Sequence, residues 1–128
     1  MKVYTDGGSR GNPGNAACAF VAVSNEKIIT QKSKFLGTKT NNEAEYLAVI
    51  LALENIKLKQ FEIISDSELV IKQLTGEYKI NKPHLALLHQ KVRGLISNRK
   101  VRFSNIKREN KFITQADLLV NQVLDGRA

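Results

Sequence analysis

With 128 residues, 42% of them hydrophobic and 25% charged, the chain can build one hydrophobic core and is not composed like a disordered segment. Its longest uncharged apolar stretch, Ala16–Val23, is too short to cross a bilayer, and its single cysteine, Cys18, excludes an internal disulfide framework. The net charge is +8, and Lys91, Arg93, Arg99, Lys100, Arg102, Lys107, Arg108 and Lys111 crowd one segment with only Glu109 against them, which favours a polyanionic partner over small neutral ligands.

Met1–Thr5 reads as a first strand ended by Asp6, with Gly7, Gly8, Gly11, Pro13 and Gly14 supplying turn chemistry after it. Asn15–Ser24 and Lys27–Leu36 follow as two more strands, completing an antiparallel meander. The period then changes. Ala44, Leu47, Ala48, Leu51 and Ala52 recur at helical spacing, and Thr40 with Glu43 forms a capping-box pattern at the start. Phe61–Ser65 is a short buried-type strand, and the helix after it closes at Gly76. Pro83 opens a helix lined by Leu85, Leu88, Val92, Leu95 and Ile96, "KVRFSNI" is the last strand, and a final helix runs from about Thr114, its expected N-cap. The order predicts one α/β domain over residues 1–128. Its mixed five-stranded sheet has strands one to three antiparallel, strands one, four and five parallel, and helices on both faces.

Four acids fall at telling places. Asp6 and Asp66 each follow an apolar run, and parallel neighbours would bring them to the same sheet edge. Glu45 begins the apolar stripe of the first long helix, where a carboxylate is costly unless a cation compensates it. Asp117 stands in the expected first turn of the last helix. Singly, Asp6 reads equally as a turn residue, Asp66 as a helix cap and Asp117 as a dipole-compensating acid. Convergence of all four is the reading that accounts for Glu45. All-oxygen donors suit Mg²⁺ or Mn²⁺, and two such ions can activate a water and stabilise a leaving phosphodiester oxygen. A carboxylate cluster beside a basic flank points to phosphodiester hydrolysis.

The blocks "YTDGGSRGNPG", "TNNEAEYLAVILALE", "SDSELVIKQLTGEYK" and "QADLLVN" resemble, in order and spacing, those of the ribonuclease HI family, over nearly the whole chain. The resemblance implies the ribonuclease H-like fold and endonucleolytic cleavage of the RNA strand of RNA–DNA hybrids, leaving 5′-phosphate and 3′-hydroxyl ends. It assigns the metal ligands to Asp6, Glu45, Asp66 and Asp117. It also places Gly8, Ser9 and Asn12 against RNA 2′-hydroxyls, Thr40 at a DNA phosphate, and Asn41 and Asn42 in the minor groove. A monomeric, cytoplasmic enzyme is expected.

Departures from the family pattern shape further expectations. No histidine lies in the loop before Asp117, and Arg108 is the candidate substitute. His84 and His89 belong to a separate helix and are expected at its surface or in packing. "KFITQA" lengthens the expected loop between Asn110 and Asp117, which puts the reach of Arg108 in question. Glu68 stands where glutamine is common, as a fifth acid or a weakened RNA contact. The basic helical protrusion that some members carry is missing from "GEYKINKPHLALLHQK", so grip falls to Lys79, Lys82 and the Lys91–Lys111 charges and should depend on salt. A junction-resolvase-like DNA nuclease and a non-catalytic hybrid-binding module are the competing readings.

Overall fold

Among the described residues, 1–127, the computed structural model orders β1 (Lys2–Gly11), β2 (Gly14–Ser24), β3 (Lys27–Lys39), α1 (Asn41–Asn55), β4 (Gln60–Ser65), α2 (Glu68–Leu74), α3 (Pro83–Leu95), β5 (Lys100–Asn105) and α4 (Lys111–Asp125). The strands form one sheet in the order β3-β2-β1-β4-β5, with β1–β2 and β2–β3 antiparallel and β1–β4 and β4–β5 parallel. The predicted topology holds.

Strand alternation divides the core into two layers. Val3, Cys18, Phe20, Ala22 and Ile63 face α1, α2 and α3, whereas Tyr4, Val21, Val23 and Ile64 face α4 with Phe112, Ile113 and Ala116. Helix α1 lies between the sheet and α3, so it is apolar almost all round, from Ala44 and Tyr46 to Leu53. Thr40 caps it as the sequence implies: its Oγ1 accepts from Glu43 N at 3.2 Å, and Glu43 Oε1 accepts from Thr40 N at 2.9 Å. Tyr46 reaches out of α1 to donate to Gln73 Oε1 at 2.6 Å, which fastens α2 against it.

Three expectations need correction. Strand β1 does not stop at Asp6 but runs on to Gly11, because β2 continues to offer antiparallel partners after β4 has ended; the turn residues serve the hairpin tip instead. Helix α4 begins at Lys111 rather than Thr114, since Asn110 Oδ1 accepts from the N–H groups of Phe112 and Ile113 at 2.9 and 3.3 Å. "KFITQA" is therefore helix, not added loop. Asp66 is no helix cap either, as Ser67 fills that position for α2.

The basic segment is also differently engaged than its composition suggests. Arg93 donates to Leu74 O, and Arg99 donates to the carbonyls of Leu53, Ile56, Leu58 and Leu95, tying together the ends of α1 and α3. Lys91 pairs with Glu54 at 3.8 Å and Lys111 with Glu26 at 3.3 Å. Lys100, Arg102 and Lys107 are the cations of that run with neither an ion pair nor a side-chain hydrogen bond among the described residues. No helix is long and apolar enough to cross a membrane.

Candidate metal centre and nucleic-acid interface

The site begins with register. Parallel pairing of β1 with β4 ends at Thr5–Ser65, so Asp6, still within β1, and Asp66, the first residue after β4, come next at the point where the two segments part. Glu45 comes from the second turn of α1, which crosses β1 so closely that an alanine Cβ at Gly7 would lie 2.2 Å from Ala44 O. Only glycine fits that crossing. It also lets Gly7 N donate to Glu45 Oε1 at 2.8 Å, which fixes the buried carboxylate.

Carboxylate oxygens of Asp6, Glu45 and Asp66 lie within 4.8 Å of one another. Asp6 and Glu45 are only 2% and 6% exposed, so neither is relieved by solvent. Burial, then the charges of Asp66 and Asp117, push the Asp6 carboxyl up to about 8. Burial, then Asp6 and Asp66, hold Glu45 well above the ordinary carboxyl range. Asp6 Oδ1 is buried with no hydrogen-bond partner. An all-oxygen set of this kind, with an orphaned acceptor and two buried carboxyls driven towards protonation when no cation is near, suits a hard divalent cation.

Asp117 approaches from α4 on the other face of the sheet and stands outside this tight trio. Arg108 does reach the site: its Nε lies 3.0 Å from Asp66 Oδ2 and its Nη1 3.6 Å from Asp117 Oδ1. Asp66, foremost, holds the guanidinium above its ordinary range. Arg108 therefore supplies charge and donors but cannot shuttle a proton as a histidine could. Asn121, one turn beyond Asp117, donates through Nδ2 to Asp117 Oδ2 at 3.2 Å.

The remaining candidates form a bridge between the β1–β2 hairpin and the start of α1. Asn41 N donates to Asn12 Oδ1 at 3.0 Å, and Ser9 N donates to Asn41 Oδ1 at 3.3 Å. Gly8 packs beside Asn41 and Val120, Ser9 Oγ is buried without a partner, and Thr40 and Asn42 flank Asn41 at the helix start. A cavity of about 200 Å³ joins Asp6, Gly8, Ser9, Asn41 and Asp117, and a wider cleft of about 830 Å³ runs from Glu45 past Asp66 to Arg108. Glu68 lines the wider cleft but lies outside the trio, and accepts from Tyr78 Oη at 2.9 Å. His84 and His89 sit on α3, exposed and half-buried, as the sequence implies.

Residues 1–124 match the family model described as RNase H. The chain belongs to the RNase H family. The ribonuclease HI of Halobacterium salinarum is 39% identical over 98% of this chain, and a Mycobacterium tuberculosis protein described as bifunctional is 35% identical over all of it. The chain spans 64% and 37% of those two relatives' lengths. Among solved RNase H structures, LC11-RNase H1 in complex with RNA/DNA hybrid superposes with a TM-score of 0.91 at 35% identity, covering 98% of this chain and 97% of that one. The H. salinarum RNase H1 gives 0.87 at 38% identity, with coverage of 98% and 97%. RNase H family membership carries divalent-metal dependence, and the Asp6–Glu45–Asp66 trio is an acidic cluster able to meet it.

Sequence reasoning missed Gly7, Arg10 and Asn121. The Gly7–Gly8 doublet directly after an acid was the available signal for a close backbone approach, and the four-residue step from Asp117 to Asn121 was the signal for a helical pair.

Proposed function

We propose that this chain hydrolyses the RNA strand of RNA–DNA hybrids, leaving 5′-phosphate and 3′-hydroxyl ends, with Mg²⁺ or Mn²⁺ held by Asp6, Glu45, Asp66 and Asp117. The observation that carries the reading is the convergence of three carboxylates from β1, α1 and the end of β4, within 4.8 Å of one another, in an RNase H chain. Two bound divalent ions would supply water activation and stabilisation of the leaving oxygen.

The protein's own groups do the rest. Gly7 N–H fixes the Glu45 carboxylate, so its orientation is set before any ion arrives. Arg108, fully cationic and two-thirds exposed, offsets repulsion between Asp66 and Asp117 and can turn a donor towards a phosphate oxygen. Gly8 and Ser9 would offer backbone, and Asn12, Asn41 and Asn42 side chains, to 2′-hydroxyls and minor-groove edges. Thr40, already the α1 cap, would face a DNA phosphate at the helix N-terminus.

The test is a cleavage assay on end-labelled hybrid, duplex DNA and duplex RNA, with Mg²⁺, Mn²⁺ and EDTA lanes. Cutting of the hybrid's RNA strand, abolished by EDTA, is the expected result. Cutting of duplex DNA, or binding of hybrid with no cleavage in either metal, would overturn the reading.

A further inference from the structure

We propose that Asn121 is the positioning residue for the Asp117 carboxylate, and that Arg10 and Asp125 lock Asn121 in the orientation that makes it so. The inference rests on the metal-dependent reading of the site. Asp117, Asn121 and Asp125 recur at four-residue steps and so share one face of α4. Arg10 reaches this face from the outer half of β1, donating through Nη2 to Asn121 Oδ1 at 3.3 Å and pairing with Asp125 Oδ1 at 2.6 Å.

The amide is thereby polarised in one sense. With Oδ1 turned to Arg10, Nδ2 points to Asp117 Oδ2; a flipped amide would set an NH₂ group against the guanidinium and a carbonyl against the carboxylate. Asp117 needs such a partner. It belongs to neither the strands nor α1, stands outside the tight trio, and otherwise faces the like-charged Asp6 and Arg108, the latter a side chain 65% exposed on a turn. An uncharged amide orients the carboxylate without neutralising it, so its charge stays available to a cation. The Arg10–Asp125 pair is 44% and 69% exposed, so it adds little to fold stability and its effect is orientational. The same contact ties the hairpin that carries Ser9 and Asn12 to the helix that carries Asp117.

The test uses the full chain carrying Asn121→Ala or Arg10→Ala, each in the wild-type and Asp117→Asn backgrounds. Mn²⁺ affinity is read without nucleic acid, by the free-Mn²⁺ electron paramagnetic resonance signal; kcat and KM on hybrid are read separately. Asn121→Ala should weaken Mn²⁺ binding about tenfold and lower kcat with KM unchanged. Arg10→Ala should act in the same direction by a smaller factor, and neither change should have further effect once Asp117 is asparagine. Unaltered Mn²⁺ affinity in Asn121→Ala, or a loss of equal size in the Asp117→Asn background, would overturn the proposal. A chain that binds Mn²⁺ in this Asn121-dependent way yet cuts no hybrid retains the positioning role and loses the nuclease reading; hybrid cleavage with Mn²⁺ affinity indifferent to Asn121 does the reverse.

Discussion

Replacing Gly7 with alanine should be far more damaging than replacing its neighbour Gly8, although both are strand glycines. Gly7 has no positive φ, so alanine is compatible with its backbone and the penalty is purely one of space. The new Cβ would meet Ala44 O at 2.2 Å, Ala44 C at 2.3 Å and Glu45 N at 2.6 Å, all of them helix backbone that cannot rotate aside. Separating β1 from α1 by about an ångström is overpacking, worth about 1–3 kcal/mol. It also pulls Gly7 N–H from Glu45 Oε1, and leaving that buried pair unmade adds about 1–3 kcal/mol. The total, about 2–6 kcal/mol, is a large part of an ordinary domain's stability and corresponds to a fall in Tm of about 8–24 °C. At Gly8 the nearest atoms to a Cβ are Asn41 Oδ1 at 3.7 Å and Val120 Cγ1 at 3.9 Å, ordinary contacts. Gly8→Ala should therefore stay within about 1 kcal/mol of wild type, since a glycine replaced without strain loses unfolded-state entropy. Urea and thermal unfolding of both variants in EDTA decide it. Equal effects at the two positions would refute the close-crossing argument.

Asp6→Asn should abolish hybrid cleavage while hybrid affinity, by fluorescence anisotropy, stays within a few-fold; turnover at the wild-type rate would remove Asp6 from the metal set. In EDTA, the folded protein keeps a proton on Asp6 up to about pH 8, whereas the unfolded chain releases it near 3.8. Stability should thus be full below about pH 4 and decline as pH rises towards 8, by at most about 1.4 kcal/mol per pH unit for this group, and saturating Mn²⁺ should flatten the decline. A pH-independent urea midpoint between pH 5 and 8 in EDTA would contradict the buried-acid account. Arg99→Ala should lower stability by about 2–4 kcal/mol, because carbonyls of Leu53, Ile56, Leu58 and Leu95 lose their shared donor; Arg99→Lys should recover less than half, an ammonium lacking the planar fork. Retention of wild-type Tm in Arg99→Ala would show those carbonyls to be solvated instead.

Most of the architecture was legible because its signals are local: the Thr40–Glu43 capping box, the glycine after α2 and the proline opening α3 all act within one turn of chain. Glu45 was legible for the opposite reason, since an acid on a buried stripe is unexplained by its neighbours and demands something distant. The misplacements arise where a distant strand or a nearby cap outweighs the local pattern. β1 runs on past Asp6 because β2 keeps pairing with it, which no property of Gly7 or Gly8 announces. α4 starts early because Asn110 caps it, a role that Thr114 could fill equally well by composition. The roles of Arg93 and Arg99 were hidden because a cation's commitment to helix-end carbonyls depends on tertiary approach, and composition counts only its charge.

Asp6 sits on the innermost strand, just past the last β4 partner but still laddered to Ala19 of β2. Neither outer strand, β3 or β5, carries any of the three clustered acids, so fraying from either margin would leave their spacing untouched. Asp6 on the central strand and Glu45 on the helix packed across it are thus insulated from opening at the sheet margins.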